Sequence, residues 1–126
     1  MTREEKDLLL KDLSTRLPYG VKVKYCGNIE ILRDKDCDLF MKYCSGVFDI
    51  CPDIEDIKPY LLPMSSMTEE QKVIYGDLFY ATINTDPSYA LDRINELIDW
   101  LNANHFDYRG LIEKGLAIDA TGLNIY

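Results

Sequence analysis

The chain opens on a helical pattern. Thr2-Arg3-Glu4-Glu5 has the form of a capping box, with Thr2 placed to accept from the Glu5 N–H while the Glu5 carboxylate reaches back. Leu9, Leu13 and Leu17 then recur at i, i+4 and i+8 with Leu10 beside them. This predicts one apolar stripe set against charged, outward positions such as Lys6, Lys11 and Asp12. Pro18-Tyr19-Gly20 ends the helix.

From Val21 the period changes to two. Val21, Val23 and Tyr25 oppose Lys22 and Lys24, and Cys26-Gly27-Asn28 offers a tight reversal into Ile29-Glu30-Ile31, which reads as a hairpin. Further short strands are expected at Leu39 to Cys44, at Val47 to Ile50 and at Ile54 to Leu62. Four or five strands in so short a stretch suggest a small antiparallel sheet or an SH3-like barrel.

The second half returns to helical spacing. Thr68-Glu69-Glu70-Gln71 repeats the capping-box form and starts a helix running to about Ile83, which places Val73, Ile74, Leu78 and Ala81 near one another at helical spacing. Gly76 weakens that helix by roughly 1 kcal/mol relative to alanine. Asp86 and Pro87 mark the next start, and Leu91, Ile94, Leu97, Ile98 and Leu101 make a broad apolar face before Asn102-Ala103-Asn104. Residues 105 to 126 contain Gly110, Gly115 and Gly122 and read as a short turn and an extended tail.

These elements fit one α+β domain over residues 1 to 126, since no repeat, low-complexity run or Gly/Ser linker divides them. At this length a chain buries roughly two-thirds of the surface its unfolded form exposes, enough for a core without disulfides or metal. Its formal charge of −8 argues against direct binding of nucleic-acid phosphates. The charge is uneven: residues 1 to 67 carry −2 and residues 68 to 126 carry −6. Neither a membrane-length apolar run nor a basic-then-apolar leader is visible, so the expected compartment is the cytoplasm, with Cys26, Cys37, Cys44 and Cys51 reduced.

Three strings carry a resemblance. They are Leu17-Pro18-Tyr19-Gly20-Val21-Lys22-Val23, the run Lys58-Pro59-Tyr60-Leu61-Leu62-Pro63-Met64-Ser65-Ser66-Met67-Thr68-Glu69-Glu70, and Trp100-Leu101-Asn102 through His105-Phe106-Asp107-Tyr108-Arg109-Gly110-Leu111-Ile112. The wording resembles uncharacterised small proteins of gut Bacteroidales-type bacteria and their prophages. The resemblance implies a mobile-element setting. It supplies no reaction and no catalytic residue, and it does not reach Leu39 to Ile54.

Candidate chemistry is sparse. The four cysteines could be zinc ligands, but their spacing contains no C-x-x-C pair, so buried reduced thiols are the expectation and no metal or cofactor is assigned. The lone His105 is too distant in sequence from them to specify a Cys–His nucleophile pair. The motifs G-x-x-x-x-G-K-[ST], G-x-G-x-x-G and G-x-S-x-G are absent from the sequence, which removes the usual phosphate-loop, dinucleotide and hydrolase readings.

The densest polar cluster is His105, Asp107, Tyr108 and Arg109. His105 is the only side chain whose ordinary pKa lies near neutrality, so a small-molecule binder or hydrolase using His105, Asp107 and Arg109 is one alternative. The structural counter-reading makes His105 a cationic cap at a helix end and pairs Arg109 with Asp107 or Asp99. Among nine tyrosines, Tyr60, with Met64 and Met67 after it, is the candidate for an exposed protein contact. That segment equally suits a connection packing the helices on the sheet. Asp92, Glu96 and Asp99 form a carboxylate row that would serve an acidic decoy of a basic partner, although a solvated helix face shows the same row. The reading preferred is a non-enzymatic protein-interaction or accessory protein, its partner and oligomeric state unspecified.

Overall fold

The computed structural model describes residues 2–25, 27–32 and 57–126. The expected strands at Leu39 to Cys44 and Val47 to Ile50, and all four cysteines, lie outside the described residues. Within them the chain is α+β, with helices α1 (Arg3–Arg16), α2 (Glu69–Ile83) and α3 (Ala90–Ala103), and strands β1 (Lys22–Tyr25), β2 (Asn28–Ile31), β3 (Ile57–Leu61) and β4 (Ile118–Asp119). Short 3₁₀ turns cover Leu17–Tyr19, Met64–Ser66 and Pro87–Tyr89.

Both capping boxes form as the sequence predicts. The Glu5 N–H donates to the Thr2 hydroxyl at 3.1 Å and the Thr2 N–H to the Glu5 carboxylate at 3.2 Å. Thr68 and Gln71 repeat the exchange at the head of α2. These bonds satisfy N–H groups that a helix start otherwise leaves unpaired. Gly20 at φ +68° turns the chain out of the first 3₁₀ turn into β1, a left-handed position that glycine occupies without strain.

The sheet is mixed and open, ordered β2-β1-β3-β4. β1 pairs antiparallel with β2 and with β3, whereas β4 runs parallel to β3. The expectation of a wholly antiparallel sheet or closed SH3-like barrel is therefore corrected. A strand from the glycine-containing tail takes the far edge, and the two-residue β4 lacks the length from which alternation is read. The tail is no loose extension: Leu111, Leu116, Ala117 and Ala120 are buried.

Two apolar clusters hold the layers together. The first joins Leu9 and Leu13 of α1 to Val21, Val23, Ile57 and Leu61 and to Leu111 and Leu116. The second gathers Met67, Leu97, Leu101 and Phe106, with Met64, Tyr75, Leu78 and Trp100 packed around them. Rings of Tyr75, Trp100 and Phe106 follow one another at 6.4 and 5.7 Å, carrying contact from α2 through α3 to the segment after it.

Helix α2 splits the apolar group that its spacing sets up. None of its residues is buried, and Val73 is 64% and Tyr80 66% exposed. The inward row is Gln71, Tyr75, Leu78 and Thr82, partly covered, while Val73 and Ile74 face out. On α3, Leu97 and Leu101 are buried but Leu91 is 76% exposed, because the start of that helix extends past the second cluster. Gly76 lies mid-helix, and a Cβ built there meets nothing within 4 Å. Gly76→Ala is accordingly expected to raise stability by about 0.5–1 kcal/mol in urea unfolding, by removing unfolded-state freedom at a compatible helical site.

Candidate functional site

The polar residues of 102–109 are positioned by the end of α3. Its Asn104 and His105 close the last turn, the His105 N–H donating to the Asn102 carbonyl at 3.1 Å with His105 at φ +62°. The chain then runs beside Leu62 as an isolated parallel bridge: the Leu62 N–H donates to the His105 carbonyl and the Asp107 N–H to the Leu62 carbonyl, each at 2.8 Å. This pins residues 105–107 between sheet and helix.

Asp107 is consumed by backbone. Its two carboxylate oxygens accept from the N–H groups of Leu111 and Ile112, both at 2.9 Å. That arrangement shapes the turn around Gly110 and leaves neither oxygen without a partner. Arg109 does not pair with Asp107 or Asp99. It donates instead to Asp12 at 2.8 Å and to the Thr15 hydroxyl at 3.2 Å, both on α1. The sequence expectation failed here because the partner lies 97 residues away.

Asp12 is the residue that sequence reading misplaced most. It is fully buried together with Arg16, and the pair meets at 2.8 Å through Arg16 Nε and Asp12 Oδ2. Leu9, Asp12, Leu13 and Arg16 stand at i, i+3, i+4 and i+7, so the two charges share the inward stripe with the leucines. The spacing was visible, but a charged side chain is normally assigned to solvent unless paired. Arg16 Nη2 also donates to the Phe106 carbonyl at 2.7 Å.

Both guanidinium groups lie over the Tyr108 ring. Arg109 sits 4.7 Å and Arg16 5.1 Å from its ring centroid, and its hydroxyl donates to the buried Asn102 side chain at 2.9 Å. Cation–π attraction and the ion pairs thus tie α1, the end of α3 and the following turn into one unit. The unit holds two guanidinium groups against one carboxylate. Among the described residues, Arg16 Nη1 and His105 Nδ1 are buried without a hydrogen-bond partner.

His105 is not the cationic cap foreseen. Burial, reinforced by the positive charges of Arg16 and Lys22, pushes its pKa from 6.5 down to about 4, so the ring is neutral at pH 7. It stacks on Tyr126 with centroids 3.7 Å apart and planes 12° from parallel. Tyr126 is 43% exposed as a residue, yet its hydroxyl points inward, accepting from the Lys22 N–H at 2.8 Å and donating to the Tyr60 carbonyl at 2.7 Å. Burial of that hydroxyl raises its pKa to about 12.

The exposed-contact candidates move inward as well. Tyr60 is buried in β3 and Met67 in the second core cluster, with Met64 packed against it. Tyr60 cannot be a surface anchor, because the strand that carries it is flanked on both sides and its ring lies within the fold. The segment is the connection that packs the helices on the sheet. The row Asp92, Glu96 and Asp99 is exposed, with Glu96 paired to Arg93 at 3.2 Å.

His105, Asp107 and Arg109 each engage a different part of the fold. Among the described residues, no three His, Cys, Asp or Glu side chains gather where they could hold a metal ion, and no helix is long and apolar enough to cross a membrane. No family model, curated protein or solved structure matches the chain.

Two measurements test the internal roles. Arg16→Met leaves buried Asp12 and the Phe106 carbonyl short of a partner and is expected to cost about 3–5 kcal/mol in urea unfolding. Arg93→Ala, which breaks an exposed pair, is expected to stay within about 0.5 kcal/mol. For His105 the folded pKa lies below the unfolded one, so its contribution is whole above about pH 6.5 and is lost as pH falls toward about 4. His105→Asn, neutral and suited to positive φ, should flatten the decline in melting temperature between those pH values relative to wild type.

Proposed function

We propose that this chain is a non-enzymatic protein-interaction or accessory protein, and that the α2–α3 hairpin is its contact surface. One observation carries this reading: α2 buries none of its residues and presents Val73, Tyr80 and Ile83 outward, while Tyr89, Leu91 and Ile94 are exposed where the hairpin turns into α3. Single exposed apolar residues are ordinary, but a concentration of them on one supersecondary unit marks an interaction surface.

The polar cluster supports the same reading from the other direction. Asp107 holds backbone N–H groups, Arg109 holds α1, and His105 is neutral and stacked, so each group has a structural task. A binder or hydrolase built on these three has no observation in its favour. The acidic-decoy reading rests on Asp92, Glu96 and Asp99 alone. A prophage or other mobile-element setting in the cytoplasm of a gut bacterium is proposed from the resemblance of the three sequence strings.

The test is affinity purification from native cells, using wild type and a Tyr80→Asp/Leu91→Asp variant. A reproducible protein partner that the variant loses is the expected result. A bound metabolite without any protein partner would replace this reading with the small-molecule one.

A further inference from the structure

Two surfaces of this chain are apolar and charged at once, and their charges are opposite. The first is the outward side of α2. Val73, Gly76, Tyr80 and Ile83 fall at i, i+3, i+7 and i+10, which places them along one stripe. Glu69, Glu70 and Asp77 stand three or four positions from Val73 or Tyr80 and so border it. Lys72, the one cation of α2, is paired with Glu69 at 3.3 Å.

Gly76 adds a second feature to that stripe. It has no positive φ, and a Cβ added there meets nothing within 4 Å. Neither backbone conformation nor crowding among the described residues asks for a glycine in mid-helix, where it weakens the element. What the missing side chain does create is a hollow between Val73 and Tyr80.

The second surface is the part of the outer sheet face that the tail leaves open, around Lys24 and Lys58; Lys22, on the same face, donates to the Ile125 carbonyl and lies over the Tyr126 ring. The register pairs Lys24 with Ile29, Lys22 with Ile31 and Lys24 with Lys58, and residues paired across strands share a face. Ile29 is 51% and Ile31 55% exposed. Lys24 and Lys58 are direct cross-strand neighbours of like charge, an unfavourable pair, and neither makes an ion pair among the described residues. Nothing within the described chain offsets that repulsion.

We propose that these two surfaces bind each other between copies of this chain: the α2 stripe of one copy seats on the outer sheet face of a second. Ile29 and Ile31 pack against Val73, Tyr80 and the Gly76 hollow, and Lys24 and Lys58 meet Glu70 and Asp77. The proposal rests on the interaction reading above and names the partner. Charge selects this pairing over hairpin on hairpin. Residues 69–103 hold seven acidic and two basic side chains, so two hairpins face to face would repel, whereas the lysine-bearing sheet face neutralises them. Because unlike patches meet, two copies either exchange the contact reciprocally as a two-fold pair or pass it head to tail into a ring or string.

Sedimentation equilibrium over a range of concentrations, at about 0.05 M and about 0.5 M salt, tests it. Wild type should show an average mass above the 14.6 kDa of one chain, rising with concentration and falling in high salt. The variants Lys24→Glu/Lys58→Glu and Glu70→Lys/Asp77→Lys, confirmed folded by circular dichroism, should each remain monomeric. Their mixture should regain the associated mass, since the reversed sheet of one then fits the reversed helix of the other. Gly76→Gln, which favours the helix and fills the hollow, should raise the melting temperature yet weaken association by at least about tenfold.

A wild type that is monomeric throughout would overturn the proposal. So would association that persists in Lys24→Glu/Lys58→Glu, which would identify a hairpin-to-hairpin contact, or a mixture of folded variants that stays monomeric. A loss of melting temperature in Gly76→Gln would show that the stripe is covered within its own chain and would also overturn it. A monomer that still captures another protein through the hairpin removes self-association and leaves the interaction reading standing. A monomer that captures none removes both.

Discussion

The buried contact between Asp12 and Arg16 is the constraint around which the rest of the fold is arranged. Removing two charges from water is costly, and good partners offset most of that cost here, although Arg16 Nη1 stays without one. Asp12 has its second oxygen on Arg109, and Arg16 has its Nη2 on the Phe106 carbonyl. Those partners come from the turn after α3, so the first helix cannot bury its inward stripe unless that turn is in place. Asp107 in turn holds the turn by its backbone, and Leu62 holds Phe106 beside the sheet. The ionic contact therefore links all three layers, with Leu9 and Leu13 supplying apolar burial on either side.

The helices at the other end of the molecule obey a looser rule. α2 touches the body through half-covered side chains and a line of aromatic rings, and its outward side is free of the requirement to bury anything. The same chain thus has a polar interior where its sequence looks ready for chemistry and an apolar exterior where its sequence looks ready for a core. Interpreting either region by residue type alone exchanges their roles.

What the sequence made legible was local. Thr2 with Glu5, Thr68 with Gln71, the alternation from Val21 to Tyr25 and the reversal after it are decided by neighbours within a few residues, and each appears in the structure. The open mixed sheet was not legible, because β4 is two residues long and joins β3 across more than fifty positions. Asp12 was misread because its inward position depends on a guanidinium 97 residues distant. The outward position of Val73 and Ile74 was not legible, because helical periodicity specifies an apolar side without saying whether anything lies against it. The candidate contacts Tyr60 and Met67 are interior because an amphipathic or apolar side chain in a connecting segment suits packing as well as exposure, and only the elements around it decide which.

The separations involved also say something about how this chain reaches its structure. Arg16 bonds the carbonyl of a residue 90 positions on, and the Lys22 N–H bonds a hydroxyl 104 positions on. Bringing such distant points together costs chain entropy before any contact repays it, whereas α1 and the β1–β2 hairpin close within themselves. Without the turn after α3 against them, Asp12 and Arg16 would be an ordinary hydrated pair on a helix of 14 residues, a length that is marginal alone. With the turn in place their water is gone, the first apolar cluster is complete and β4 can take its edge of the sheet beside β3. A chain halted before that turn would have helices and a hairpin but no reason to prefer this arrangement of them.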